Sequence, residues 1–147
     1  MSSTGVKFRS LNWENTSEVG FVYKSWLGSY KNHAADIPYS IYRKVYQELL
    51  DRIMKRDGCS VILAVHPEHE DQIFGFAVIE RSTPALHYIY VKEDYRRKGV
   101  GTDLLEFINQ GNNSGEFTFT HSTRLGRTFL KSRGGKFNPR FVRNELP

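Results

Sequence analysis

Cysteine is nearly absent from this sequence of 147 residues, in which Cys59 stands alone. A single thiol cannot form a disulfide within the chain, and a lone cysteine beside a strand is more often a small core residue than a nucleophile. Long apolar runs are absent too. No stretch approaches the roughly 18 consecutive apolar residues of a membrane span, and Met1 to Lys7 lacks the apolar region of a secretory signal. We therefore expect a cytoplasmic protein with no membrane partner.

Internal repeats, low-complexity tracts and long linkers are also lacking, so residues 1–147 are expected to form one domain. Positive charge is in excess, with a formal net charge of +5. The C-terminal stretch contains one acidic residue, Glu145, and seven basic residues: Arg124, Arg127, Lys131, Arg133, Lys136, Arg140 and Arg143. This clustering predicts a polyanionic partner. Charge alone does not distinguish a nucleic acid from a phosphorylated cofactor.

Apolar periodicity divides the N-terminal half of the chain into strands and helices. Asn15 is in position to cap the first helix, and Glu18 occupies the capping-box position three residues later. The second helix is expected to end at Asp57-Gly58, because glycine tolerates the conformation that closes a helix. The predicted elements are a strand at Val6 to Leu11, the helix capped by Asn15, a helix from near Pro38, and an antiparallel hairpin of Ser60 to Val65 with Ile73 to Ile79.

The C-terminal half alternates strands with shorter helices. The predicted elements are a strand at Leu86 to Val91, a helix at Val100 to Ile108, a strand at Phe117 to Thr120, a short helix at Leu125 to Leu130 closed by Gly134-Gly135, and a last strand including Phe141-Val142. The full order is β-α-α-β-β-β-α-β-α-β. This order predicts an α/β (α+β) fold, with a mixed and mostly antiparallel central sheet flanked by helices.

A basic segment with two glycines joins the third consecutive strand to a helix. It reads Arg96-Arg97-Lys98-Gly99-Val100-Gly101, followed by Thr102. The first backbone N–H groups of a helix have no acceptor within the helix and can bind phosphate oxygens. Glycine lets an anion approach the backbone closely, and the basic side chains bring positive charge to the same place. We expect this segment to bind a diphosphate.

The pattern [Arg/Gln]-x-x-Gly-x-[Gly/Ala] at the start of a helix resembles the signature of the GNAT superfamily of N-acetyltransferases. The longer phrase Tyr90-Val91-x-x-x-Tyr95-Arg96-Arg97-x-Gly99-x-Gly101 and the order of elements also resemble that family. The likeness covers most of the chain, from Val6 to about Val142. It implies a single GNAT-like domain, monomeric or homodimeric, that takes an acetyl group from acetyl-CoA.

The resemblance also implies where acetyl-CoA is bound. Its pyrophosphate is expected at Arg96, Arg97, Lys98, Gly99, Val100, Gly101 and Thr102. In this family the strand before the motif diverges from the next strand, and pantetheine lies in the gap. The exposed backbone there is expected to be that of Ile89 and Val91. A backbone N–H group in this place can polarise the thioester carbonyl.

Transfer to an amine requires the amine to be neutral, so a base or a chain of waters must take its proton. Some members of the family use a glutamate on the strand that precedes the motif. Here no carboxylate lies between Ser82 and Val91. Glu80, His87 or a relayed water are the alternatives, and His87 is considered because its ordinary pKa is near neutrality.

The departing CoA thiolate also needs a proton, which in this family often comes from a tyrosine on the last helix. Leu130 stands at that position, and Thr123 stands at the position of a common asparagine. Tyr88, Tyr90 and His121 are therefore the candidate donors. These replacements leave catalytic activity an open question.

Two functions remain open at the level of sequence. The first is an N-acetyltransferase whose acceptor is a primary amine on a small molecule, a peptide N-terminus or a lysine. The second is a catalytically silent GNAT-fold protein that binds nucleic acid or a protein partner through its basic C-terminal region.

The segment His66 to Asp71 holds histidines and carboxylates. We interpret it as a solvated turn and expect no metal site.

Overall fold

The computed structural model describes residues 5–29, 39–56, 58–80, 85–109, 117–121 and 124–138. The elements are β1 Lys7–Ser10, α1 Thr16–Ser29, α2 Tyr39–Met54, β2 Cys59–Val65, β3 Ile73–Glu80, β4 Ala85–Val91, α3 Val100–Ile108, β5 Phe117–Phe119, α4 Arg124–Lys131 and β6 Gly135–Phe137. A short 3-10 turn, Glu93–Tyr95, lies between β4 and α3. The predicted order of elements is confirmed. Pro38, Asp57 and Phe141-Val142 lie outside the described residues.

The six strands form one mixed sheet in chain order, from β1 to β6. The pairs from β1 to β4 are antiparallel, whereas β4 with β5 and β5 with β6 are parallel. Parallel neighbours need a crossover connection, and α3 and α4 occupy these two connections. The predicted α/β fold, mostly antiparallel with flanking helices, is confirmed.

The helices cover both faces of the sheet because successive strand side chains point to opposite sides. On one face, Val22 and Trp26 of α1 and Leu50 of α2 pack with side chains of β2, β3 and β4. On the other face, Leu104 of α3 and Leu130 of α4 pack against alternate residues of the same strands. Two apolar layers therefore enclose the sheet, and β4 has a helix on each side.

The start of α1 is held by side chains, as the sequence predicts, but the pairing differs from a capping box. Asn15 Oδ1 accepts the N–H groups of Ser17 at 3.1 Å and Glu18 at 3.3 Å, so Asn15 is the cap. The Asn15 N–H donates to Asn12 O at 3.0 Å and is not available to Glu18. The Glu18 carboxylate instead accepts two hydrogen bonds from Arg9, at 3.0 and 2.8 Å. The Arg9 guanidinium holds the pKa of Glu18 below its ordinary value and ties α1 to β1.

Candidate active site

The strands β4 and β5 pair over only a short stretch. Their paired positions are Ala85 with Thr118 and Leu86 with Phe119, and the Thr120 N–H then donates to Leu86 O at 3.0 Å. β5 ends at Phe119, whereas β4 continues to Val91. In the part of the chain that the structure describes, no strand pairs with this edge of residues 87–91. We call this unpaired edge of β4, together with the space beside it, the β4–β5 opening.

The backbone of β4 presents alternate residues to this opening. The Lys92 N–H donates to Phe74 O at 2.8 Å, which places Lys92 and, two residues earlier, Tyr90 on the β3 side. The N–H and C=O groups of Ile89 and Val91 therefore point the other way, into the β4–β5 opening. The Val91 carbonyl accepts a hydrogen bond from Arg96 Nε at 2.8 Å, which holds the basic segment against the end of the strand.

Left-handed backbone shapes the segment between β4 and α3. Gly99 has φ of 94° and precedes the first helical residue, and Arg97 has φ of 64°. A left-handed conformation costs a non-glycine residue about 1 kcal/mol. The first helical hydrogen bond runs from Asp103 N to Gly99 O at 2.9 Å. The N–H groups of residues 100–102 thus precede the helical ladder, and no side chain caps them. This geometry suits an anion.

Positive charge surrounds the start of α3. The side chains of Arg96, Arg97 and Lys98 are exposed there. Arg133, which follows α4, adds a fourth cation that the sequence did not link to this segment. Its guanidinium donates to Thr102 Oγ1 at 3.1 Å and lies 4.1 Å from the centre of the Phe129 ring. The end of α4 therefore brings charge to the first turn of α3.

Gly101 has a packing role as well as a place in the motif. A Cβ atom at this position would lie 3.3 Å from Cζ of Phe129 and 3.8 Å from a methyl group of Val91. The contact with Phe129 is tight, so the ring would have to shift by a few tenths of an ångström, whereas the contact with Val91 is an ordinary one. The absence of a side chain at Gly101 thus lets α3, α4 and the end of β4 pack closely at the basic segment.

Glu80 and His87 belong to a chain of four polar residues, Arg56, Glu80, His87 and Thr120, in which all but the half-buried Arg56 are buried. We call it the buried polar chain. His87 Nε2 lies 2.7 Å from Glu80 Oε1, and Nδ1 lies 2.8 Å from Thr120 Oγ1. The Arg56 guanidinium pairs with the same Glu80 carboxylate. His87 is 0% exposed and Glu80 is 3% exposed. Burial lowers the pKa of His87 below its ordinary value, so its neutral form is favoured.

Tyr88 and Tyr90 point to the opposite face, beneath α1. The Tyr88 ring stacks on Trp26 at 5.7 Å between centroids, and its hydroxyl donates to Ser25 O at 3.4 Å. Burial raises the pKa of Tyr88, so the hydroxyl keeps its proton. Tyr90 is half-buried, with the Arg96 guanidinium 5.7 Å from the centre of its ring.

His121 lies at the mouth of the β4–β5 opening, two residues after the end of β5. Its ring centre is 5.8 Å from that of Tyr88. Its Nε2 atom lies 2.8 Å from Ser29 Oγ at the end of α1, and the Ser29 hydroxyl donates to Trp26 O at 2.5 Å. Sequence reasoning missed Ser29, because nothing in the local pattern connects residues that lie 92 positions apart.

The structure thus separates the sequence-predicted residues into groups. Tyr88 and His121 are brought together beside the opening, whereas Glu80 and His87 lie in the buried polar chain. Leu130 is 1% exposed and packs in the core, and Thr123 lies outside the described residues.

Over the described ranges, no three His, Cys, Asp or Glu side chains form a group that could hold a metal ion. None of the described helices is long and apolar enough to cross a membrane.

Comparison with known families and structures gives a concordant result. The family model described as "Acetyltransferase (GNAT) domain" matches residues 57–134, which is more than half of the chain. This region begins before β2 and ends after α4, so it includes β4, the basic segment and β5. Among curated proteins, no significant match is found.

Solved structures with the same fold include three informative ones. A protein from Bacillus halodurans has a TM-score of 0.63 at 16% identity, over 88% of this chain and 92% of that one. A ribosomal-protein-alanine N-acetyltransferase from Brucella melitensis has a TM-score of 0.55 at 18% identity, over 86% and 88%. A predicted acetyltransferase from Clostridium acetobutylicum, determined with acetyl-CoA, has a TM-score of 0.56 at 15% identity, over 89% and 90%. At these identities the likeness concerns the fold.

Proposed function

Because the chain belongs to the GNAT acetyltransferase family, we propose that it transfers the acetyl group of acetyl-CoA to a primary amine. The observation that carries this proposal is the position of the β4–β5 opening. The opening ends where the basic segment begins, so one extended ligand can contact both. A diphosphate at the start of α3 and an arm lying along β4 match the two parts of acetyl-CoA.

The diphosphate is assigned to the start of α3 on charge and geometry. The N–H groups of residues 100–102 precede the helical ladder, and the positive end of the helix dipole lies at the same place. Arg96, Arg97 and Lys98 supply cations from the segment itself, and Arg133 approaches through Thr102. The absence of a side chain at Gly99 leaves the backbone accessible to phosphate oxygens.

The acetyl end is assigned to the β4–β5 opening. The backbone N–H groups of Ile89 and Val91 point into it, and such a group can hydrogen-bond the thioester carbonyl oxygen as negative charge develops there. The acceptor amine would approach from the α1 side, where Tyr88 and His121 lie. The candidate acceptors are the primary amines of a small molecule, a peptide N-terminus or a lysine.

A second candidate function is binding without turnover, and the specific observation in its favour is Leu130. The family commonly has a tyrosine there, whereas Leu130 is a core residue without a proton to donate. The side chains of Lys131 and Lys136 are exposed on the same part of the chain and could meet a polyanion. A protein of this kind would bind duplex DNA or another partner and would not acetylate.

Calorimetry with acetyl-CoA, desulfo-CoA and duplex DNA separates the two functions. The acetyltransferase is expected to bind both nucleotides and to show no response to DNA. An Arg97→Glu variant should bind acetyl-CoA about 10 to 100 times more weakly, because a charge-assisted hydrogen bond is worth roughly 1.5–3 kcal/mol. Lys44→Glu makes the same charge change on the exposed side of α2 and is the matched control. Equal affinity in the two variants, or binding of DNA alone, would refute the assignment.

A further inference from the structure

The hydrogen bonds at the end of α1 favour one tautomer of His121. A carbonyl oxygen cannot donate, so the 2.5 Å contact between Ser29 Oγ and Trp26 O uses the single hydrogen of the Ser29 hydroxyl. With that hydrogen directed at Trp26 O, the 2.8 Å contact between Ser29 Oγ and His121 Nε2 favours a hydrogen on Nε2. In the neutral ring, Nδ1 therefore carries the lone pair and is the basic atom.

The same contacts place His121 at the negative end of a helix. Ser29 is the last residue of α1, and the Trp26 carbonyl lies in its final turn. The last carbonyls of a helix carry partial negative charge, and this last turn contains no basic residue. When Nδ1 takes up a proton, the His121 ring becomes a cation. The partial negative charge at the carbonyl end of α1 stabilises this cation through the Ser29 hydroxyl.

The position of His121 along the chain is also held firmly. The preceding residue, Thr120, donates its N–H to Leu86 O and contacts His87 Nδ1 through its hydroxyl. His121 thus lies at the point where the chain after β5 leaves β4, and its ring is close to that of Tyr88. Under the proposed function, this is the side of the opening from which the acceptor amine reaches the thioester.

We propose that His121 is the catalytic base that takes the proton from the acceptor amine, and that Ser29 is the positioning residue that holds its ring. This inference rests on the proposed function. The ammonium group gives one proton to Nδ1, and the neutral nitrogen then forms a bond to the acetyl carbon as the carbon–sulfur bond breaks. The nitrogen loses its second proton, which ends on the CoA sulfur. His121 returns its own proton to solvent.

The other candidate bases fit this step less well. Glu80 and His87 are buried and hydrogen-bonded to each other within the buried polar chain. Tyr88 keeps its proton because burial raises its pKa, so it cannot accept one from an ammonium group. The Tyr88 hydroxyl is left as a donor and not as a base.

Nitrogen-15 NMR of the histidine rings tests the arrangement without any acceptor. In the full-length protein, His121 is expected as the Nε2–H tautomer, and Ser29→Thr should keep that tautomer because it keeps the hydroxyl. Ser29→Ala should weaken the preference. Ser25→Ala, which also removes a hydroxyl from α1, is the matched control and should leave the spectrum of His121 unchanged. An Nδ1–H tautomer in the wild-type protein would overturn the proposal.

Acetyl transfer in a single turnover tests the chemistry. The acceptors are an alanyl peptide, a capped lysine peptide, spermidine, and hydroxylamine, whose nitrogen is already neutral near pH 7. His121→Gln should slow transfer to the alkylamines by about 10²- to 10⁴-fold, the usual contribution of a general base, and should slow transfer to hydroxylamine much less. The affinity for acetyl-CoA should not change. His69→Gln, on an exposed turn, is the control.

The outcomes distinguish this inference from the proposed function. If the wild-type protein acetylates any of these alkylamines and His121→Gln acetylates them equally fast, the base assignment is wrong and the proposed function stands. If the wild-type protein binds no acetyl-CoA, or binds it and acetylates none of the acceptors, the proposed function fails and the base assignment falls with it. An equal loss with alkylamines and hydroxylamine would also refute His121 as the base.

Discussion

His87 has no exposed surface, and both of its ring nitrogens lie within hydrogen-bond distance of a buried polar group. It sits at an irregularity of the β3–β4 ladder, where the pairing passes from Val78 with Tyr88 to Ile79 with Leu86. Its partner Thr120 belongs to the segment that leaves β4. The side chain of His87 therefore connects β3, β4 and β5 at the base of the β4–β5 opening, which is a structural role.

Replacing His87 should destabilise the protein. His87→Ala leaves a cavity and removes hydrogen bonds from Glu80 and Thr120, both buried, so the free energy of unfolding should fall by about 2–4 kcal/mol. Urea denaturation followed by circular dichroism measures this. His69→Ala should change the free energy of unfolding by no more than about 0.5 kcal/mol, because His69 is exposed. Equal stability of the two variants would contradict the role given to His87.

The same histidine should make stability depend on pH. Desolvation lowers the pKa of His87 from its ordinary value of 6.5, against the opposing effect of Glu80 and with a smaller lowering from Arg56. Below pH 6.5, His87 takes up a proton more readily in the unfolded chain than in the native state. The free energy of unfolding therefore falls as pH falls below 6.5. Denaturation curves between about pH 7 and 5 should show a shallower fall for His87→Gln. The same slope in both proteins would remove His87 as the cause.

At the scale of elements, close packing of backbones fixes the end of β4. Gly75 of β3 faces Val91, and a Cβ atom at Gly75 would collide with the Tyr90 carbonyl oxygen. The carbonyl belongs to the backbone and cannot rotate away as a side chain can. Gly75 therefore sets how closely β3 approaches the part of β4 that borders the opening.

Two glycine-to-alanine variants should have opposite effects. Gly75→Ala should lower the free energy of unfolding by about 2–4 kcal/mol, because the collision forces the strands apart. Gly20→Ala should raise it by about 0.5–1 kcal/mol, because Gly20 lies inside α1 and, apart from its chain neighbours and the backbone of its own helix, no described atom lies within 4 Å of the added Cβ. Thermal and urea denaturation of both variants provide the comparison. A neutral Gly75→Ala would show that the strands can separate at no cost.

At the scale of the whole molecule, periodicity and turn residues predict the order of elements because these signals are local. The cap at Asn15 and the helix start after Gly99 follow from neighbouring residues alone. The contact between Ser29 and His121 joins residues 92 positions apart, and that between Thr102 and Arg133 joins residues 31 apart. Such contacts depend on the packing of α1 and α4 against the sheet, which no local pattern encodes.

The burial of His87 shows the same limit. The alternation of β4 places a histidine beside tyrosines without indicating which faces are covered. Only the packed helices and the irregular ladder put His87 between Glu80 and Thr120. The sequence therefore predicts a phosphate site at the basic segment but does not distinguish a structural histidine from one that borders the opening.

A crystal structure of the protein with acetyl-CoA is the most direct test of the central claim. We expect diphosphate oxygens within hydrogen-bond distance of the N–H groups of residues 100–102, and the pantetheine arm along Ile89 and Val91 in the β4–β5 opening. The thioester should lie on the side of the opening that His121 borders. A cofactor bound elsewhere on the surface, with the start of α3 empty, would contradict the account.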